Sequence, residues 1–201
     1  MRPWQVMLLV ASCAKASQSR SPDAPHSDAA IDVPPGKCAQ AMMGMLATWS
    51  FIGESGSQPM TAATNMAAGV TASAASRSSG LTVASGVGSI NSSGWPTAAQ
   101  LDSTKYYTVS VTPPFGCVMD LSAVAIDSKS STMGPTVAAV ATSDNNFTQT
   151  TPVTVNTPGT SNLAVTGASG MVEVRVFGYS AMSASGTYRI ENALTLSGAL
   201  R

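Results

Sequence analysis

The chain has 201 residues, a formal net charge of zero and 10% charged side chains, against a usual figure of about 25%. A neutral surface rich in Ser, Thr, Ala and Gly has no basic stripe to neutralise phosphates, which argues against nucleic acid as a partner. No apolar run reaches the roughly 18 residues of a membrane-spanning helix, and the wealth of Val, Thr and Ser over Glu and Lys favours strands.

The chain opens Met1-Arg2-Pro3-Trp4-Gln5 and continues Val6-Met7-Leu8-Leu9-Val10-Ala11-Ser12-Cys13. A basic residue, an apolar run and small residues outline an export signal. Val10-Ala11-Ser12-Cys13 resembles the lipobox of bacterial lipoproteins, in which the signal is cut before the Cys and its sulfur carries a diacylglycerol. That resemblance implies a signal peptide over residues 1–12 and lipidation at Cys13, with an ordinary cleaved signal or a chance apolar start as the alternatives. Acyl chains would hold the protein to a membrane through about 0.8 kcal/mol per buried CH₂. Residues 14–37 hold no aromatic residue and only Ile31 and Val33 among the larger aliphatics. Such a stretch cannot bury enough apolar surface to offset its ordering entropy, so residues 13–37 are expected to be a lipidated tether. Asp- and Pro-rich tails of this kind resemble those of Gram-negative surface lipoproteins. The expected location is the outer membrane or cell surface, or a secreted form if no lipid is added.

Three cysteines are present. A lipidated Cys13 leaves Cys38 and Cys117, which an oxidising compartment would join, with two free thiols as the alternative. A bridge there would close a loop of about 80 residues, worth on the order of 4 kcal/mol in the chain-entropy account.

From residue 38 to 201 the chain reads as short apolar-alternating runs broken by Gly, Ser, Asn and Pro. Ala41 to Leu46 is the one stretch that could pass for a helix, and it is too short to be read as one. Trp49 and Phe51 share a strand face in Ala47 to Gly53, and residues 54–68 read as loop. Val70 to Arg77 and Leu81 to Ala84 are weak strands. Gly86 to Pro96 is expected to be a loop that carries Trp95. Tyr107, Val109 and Val111 alternate with Tyr106, Thr108 and Ser110, the pattern of a half-buried strand. In Cys117 to Asp127 the apolar phase slips from Met119 and Leu121 to Val124 and Ile126, which predicts a bulge near Ala123. Thr136 to Thr142 leads into a hairpin-like turn, Ser143-Asp144-Asn145-Asn146. Val153 to Val155 and Leu163 to Thr166 are short strands. Met171 to Tyr179 puts Val172, Val174 and Val176 on one face, Glu173 and Arg175 on the other. Tyr188 to Leu196 is the last strand, with Asn192 on its apolar face and expected to bond backbone. Eight to ten such strands predict an all-β fold, a single antiparallel β-sandwich of jelly-roll-like form.

Several runs resemble β-sandwich modules of exported bacterial proteins, including lipoproteins and PEP-CTERM-sorted proteins. They are Tyr106-Tyr107-Thr108-Val109, Ser131-Thr132-Met133-Gly134-Pro135, Ser143-Asp144-Asn145-Asn146-Phe147, Val174-Arg175-Val176-Phe177-Gly178-Tyr179 and Gly186-Thr187-Tyr188-Arg189-Ile190-Glu191-Asn192. Glu191 stands where Asp is usual in that type. The resemblance covers about half the chain and implies a jelly-roll-like fold without an attached activity.

Catalytic chemistry has little to draw on. The single histidine, His26, lies in the tether, so the domain has no Ser-His or Cys-His arrangement and no His-based zinc site. Its acids are Glu54, Asp102, Asp120, Asp127, Asp144, Glu173 and Glu191. A glycosidase needs two carboxyl groups across one cleft, and Asp120 and Asp127 lie at opposite ends of a strand. Calcium needs six to eight oxygens, for which loops near Glu54, Asp102 or Glu191 are the candidates. No cofactor motif is present. Sugars stack their apolar C–H faces on exposed aromatics, and Trp95, Tyr106 and Tyr179 are the candidate platform, although a Trp in such a Gly-Trp-Pro loop more often covers the end of the core. The reading is therefore a non-catalytic envelope lipoprotein with a binding or structural role. Its expected partners are the membrane and a glycan or matrix component. The alternative is a carbohydrate-binding accessory module or a minimal hydrolase.

Overall fold

The computed structural model describes residues 38–201. The expected signal peptide, Cys13, the tether and His26 lie outside the described residues.

The strands are β1 (Met42–Ser50), β2 (Met60–Thr61), β3 (Asn65–Met66), β4 (Thr71–Ala72), β5 (Ala75–Arg77), β6 (Thr82–Val83) and β7 (Ser89–Ser93). They continue as β8 (Tyr107–Thr112), β9 (Met119–Ser130), β10 (Pro135–Thr142), β11 (Thr151–Val153), β12 (Gly159–Ala168), β13 (Val172–Ala181) and β14 (Tyr188–Leu200). A 3-10 turn, Ser143–Asn145, is the one helical element among the described residues. Sheet A runs β12-β9-β14-β1-β3, with β7 on β14 and β6 on β7. Sheet B runs β11-β10-β13-β8-β5-β2, with β4 also on β8. The ladders are antiparallel, and a lone parallel bridge joins Gly56 to Ile90. From β8 onward the chain crosses between the sheets at each connection except β10 to β11, the alternation of a jelly roll. The protein is an all-β sandwich.

Alternation makes the core. Along β8, Tyr107, Val109 and Val111 are buried; along β13, Val172, Val174 and Val176 are. They meet Tyr188, Ile190, Leu194 and Leu196 of β14 and Trp49 of β1 across the gap between the sheets. β14 lies between β9 on one side and β7 then β1 on the other, so it is the axis of sheet A.

The phase slip in β9 is a bulge at Ser122. Ala123 pairs with Ser197 but Leu121 pairs with Gly198, leaving Ser122 unmatched and exposed. One extra residue turns the buried set from Met119 and Leu121 to Val124, Ile126 and Ser128. Gly198 answers the bulge: a Cβ there would collide with the Asp120 carbonyl oxygen.

Two expectations are corrected, and the one helix-like stretch falls in a strand. Ala41 to Leu46 belongs largely to β1, because its apolar residues pair along β14, with Met43 opposite Ala199 and Met45 opposite Ser197. Gly86 to Pro96 contains β7, in which Ser89, Ile90, Asn91 and Ser92 are all buried. Its polarity concealed it, yet most of its buried polar groups find partners, the Asn91 Oδ1 excepted. Ser89 Oγ donates to the Gly86 carbonyl at 2.6 Å, and Asn91 Nδ2 to the Ser85 carbonyl. Asn192 is exposed rather than inward. Two residues of β14, Asn192 and Ala193, are extra between the pairs Glu191–Asp127 and Leu194–Ile126. Asn192 adopts φ of 53°, a left-handed conformation that Asn tolerates better than most residues. Its side chain turns out to donate to Asp127 Oδ2, while its backbone N–H donates to Gly88 and its carbonyl accepts from Phe51. The bulge is where β14 exchanges β7 for β1.

Cys38 and Cys117 form a disulfide, with Cα atoms 4.5 Å apart and 79 residues of separation.

Candidate functional site

The three aromatic residues expected to form one platform separate. Trp95 is 1% exposed. Its Nε1 donates to the Ser92 carbonyl at 2.8 Å, and its ring meets Tyr107 and Tyr188 edge-on at 5.3 and 5.5 Å. Such an indole offers no face to a ligand. The cause is local: Ala181 and Ser180 N–H groups donate to the Pro96 and Ala98 carbonyls, pinning the loop beside β13 and directing Trp95 between the sheets. Gly178 makes room, since its Cβ would stand 3.3 Å from the indole and closer still to Pro135.

Tyr106 and Tyr179 do share a surface, the outer face of sheet B. Residues 173, 175, 177 and 179 of β13 point away from the core by the period-two rule. Phe177 is nonetheless 1% exposed. It lies beside Ala139 of β10, with the half-buried Tyr106 ring 5.8 Å away. Tyr179 stands half-buried opposite Val137, further along the same face.

The centre of this face is Arg175. Its guanidinium carbon lies 4.1 Å from the Tyr106 ring centroid and 3.8 Å from that of Phe147. Two aromatic faces therefore sandwich one cation, each contact worth about 1 kcal/mol where partly desolvated. Glu173 receives Arg175 Nε at 2.7 Å and Nη2 at 3.3 Å, and the Thr108 hydroxyl at 2.9 Å. Both guanidinium planes and one edge are thus occupied. Phe147 reaches Arg175 from a strained turn, with Asn146 at φ of 55° and Phe147 at 59°. A bulky side chain in that region costs about 1–2 kcal/mol. The Phe147 N–H bond to the Thr142 carbonyl at 3.0 Å and the stacking on Arg175 hold it there. The sequence marks Tyr106 and Arg175 as outward-facing. It does not reveal that Phe147 folds back over them, because that depends on the turn and on the β10–β13 register.

Acids are distributed rather than gathered. Asp127 faces Glu191 across β9 and β14. Glu191 is bound by Lys129 at 3.0 Å and Arg189 at 2.6 Å, and Asp127 by Asn192. Asp102 accepts the Thr104 hydroxyl and N–H, which hold its carboxyl below the usual carboxylate range. Asp120 is held low first by Arg201 and then by the Gly167 N–H. No three acidic, histidine or cysteine side chains converge as metal ligands among the described residues. An apolar void lined by Phe51, Ile90, Tyr107, Val176 and Ile190 measures about 10 Å³, at the limit for one water and far below a ligand.

The interior holds a polar network that the sequence did not announce. Arg77 of β5 donates to the Gln58, Gly56 and Asn91 carbonyls at 2.6, 2.9 and 3.4 Å and to Ser92 Oγ at 3.1 Å. It ties sheet B to β7 of sheet A and to the 54–58 loop. Burial lowers its pKa from the ordinary arginine value, yet that value is so high that the charge persists. Nearby, the Tyr107 hydroxyl donates to the Tyr188 carbonyl. Burial raises both phenols, that of Tyr188 to about 12.

Comparison with protein-family models, with curated proteins and with solved structures finds no match to this chain.

Proposed function

We propose that this is an exported, lipid-anchored envelope protein whose sandwich binds rather than catalyses, and that the outer face of sheet B is its contact surface. The lipobox-like Val10-Ala11-Ser12-Cys13 supports the anchor, and the resemblance to modules of exported lipoproteins and PEP-CTERM-sorted proteins supports the class. The observation that carries the binding reading is the cluster of Tyr106, Arg175 and Phe147 with Tyr179 on one face. Backbone strain at Asn146 and Phe147 is maintained to complete it, and strain of that kind gathers at functional surfaces. Half-buried aromatic rings suit the apolar face of a glycan ring, with Thr108 and Arg175 beside them as polar groups. Engagement of Asp127 and Glu191 by neighbouring side chains supports a non-catalytic role over a minimal hydrolase.

Glycan-array binding by the full chain tests this reading against Tyr106→Ala and Tyr179→Ala. Both rings are partly exposed, so each variant should fold and lose about ten-fold or more in affinity if it removes 1.4 kcal/mol of stacking. Glycan binding unchanged by both substitutions would reject this face. Labelling with a palmitate analogue checks the anchor, since Cys13→Ala should abolish incorporation.

A further inference from the structure

We infer that the Pro113-Pro114-Phe115-Gly116 turn is a membrane-contact tip, which seats Phe115 in the interfacial layer of the phospholipid surface to which the chain is anchored. This rests on the lipid-anchor reading of Cys13. Phe115 is fully exposed, and Met43 and Met171 at the same end of the sandwich are 87% and 63% exposed. A rigid frame presents the ring. Pro113 is buried, Cys117 N–H closes the turn onto the Pro114 carbonyl at 3.1 Å, and the disulfide holds Cys117 to Cys38. Little side-chain or backbone entropy is therefore lost when the tip meets a surface.

Two observations select a lipid surface as the occupant. First, the polypeptide enters the domain here: Cys38 is bonded to the residue two positions beyond Phe115, so everything N-terminal to it, Cys13 included, is attached at this end. Second, the segments that form and flank the tip carry little charge. Residues 38–53, 106–119 and 156–172 contain no Asp, Glu, Lys or Arg. Of the charges toward this end, Asp120 and Arg201 meet each other at 2.8 and 3.0 Å, Asp144 accepts the Thr142 hydroxyl in the 143–147 turn, and Lys37 precedes Cys38 in the sequence. Seating Phe115 at the headgroup and acyl boundary thus buries its apolar area at small polar cost, since no charged side chain lies within residues 106–119. The opposite end differs, with Arg189, Glu191 and Lys129 close to it.

The test uses the full chain bound to phosphatidylethanolamine–phosphatidylglycerol vesicles with brominated acyl chains. It compares Phe115→Trp with Met182→Trp. Met182 is 66% exposed and follows the far end of β13. Trp4 is replaced by Phe in both variants, and the native Trp49 and Trp95, which are buried, supply a constant background. The expected result is roughly two-fold quenching of the indole at position 115 and none at 182, because interfacial burial reaches only about 5–10 Å. Vesicle flotation without quenching at 115, or with equal quenching at both positions, would overturn the tip and leave the anchor standing. A chain that does not float would overturn both. A blue-shifted indole at 115 before lipid is added would report a protein contact instead and would also overturn the assignment.

Discussion

At the start of β14, Tyr188 sits among aromatic rings and directed hydrogen bonds; at its end, Leu200 sits among aliphatic side chains beside a disulfide. The first end gathers Trp95, Tyr107, Tyr188, Ser92 and the Arg77 guanidinium. The second gathers Met119, Leu200, Val165 and Val111 with Cys38 and Cys117 nearby. Short strands and loops dominate the first, and few of their residues are strongly apolar. Directional bonds from Trp, Tyr and Arg there do what apolar area does at the other end. The aliphatic end needs no such geometry, but it must fasten the entering chain, and a covalent bond does that.

This contrast can be broken at either end. Replacing both cysteines by Ala should cost about 4 kcal/mol, since the unfolded chain regains the freedom of a long loop. Urea unfolding should also show a steeper dependence on denaturant from the more expanded unfolded state. Arg77→Met should cost about 3 kcal/mol, because charge-assisted bonds to three carbonyls and a hydroxyl vanish together. Arg77→Lys should fail to restore it, as an ammonium cannot reproduce the fork. A cost below about 1 kcal/mol for Arg77→Met would mean that ring packing alone closes that end.

Alkaline pH should loosen the aromatic end selectively. Tyr188 is raised in the folded state to about 12, above its unfolded value near 10. Its contribution is therefore complete below pH 10 and is lost as pH rises towards 12. Urea midpoints should fall over that window, while phenolate absorbance from Tyr107 and Tyr188 should appear only with unfolding. Tyr107→Phe should cost about 1 kcal/mol, the net worth of its hydrogen bond to the Tyr188 carbonyl. The smallest effect belongs to Asp120→Asn near the covalent end. A depressed carboxyl contributes above its unfolded pKa and loses that contribution as pH falls through the folded one. Because the Asp120–Arg201 pair is solvent-exposed, its loss should lie near the resolution of a urea titration.

Sequence legibility followed the same division. β8, β13 and β14 could be read because Val, Ile and Leu alternate with polar residues, and only one side of such a strand can be buried. The bulge in β9 could be read because the slipped phase of Met119, Leu121, Val124 and Ile126 has no regular-strand solution. β7 could not, since Ser89, Asn91 and Ser92 are buried by virtue of partners distant in sequence. Nor could the candidate site be assembled: Tyr106 and Tyr179 are legible as aromatics, and a Gly-Trp-Pro loop favours a core-covering Trp95, but only the path of that loop shows that the indole is buried.

The residues alone determined that this chain folds as a β-sandwich, because strand period and composition are properties of local order along the chain. Only the tertiary structure decided which aromatics face out, that Arg175 lies between Tyr106 and Phe147, that Arg77 joins the two sheets, and that Asn192 turns outward. Each depends on register and on which segments meet across the fold. A hydrophobic pattern sets which side of a strand is buried, but it does not say which strand will lie beside it.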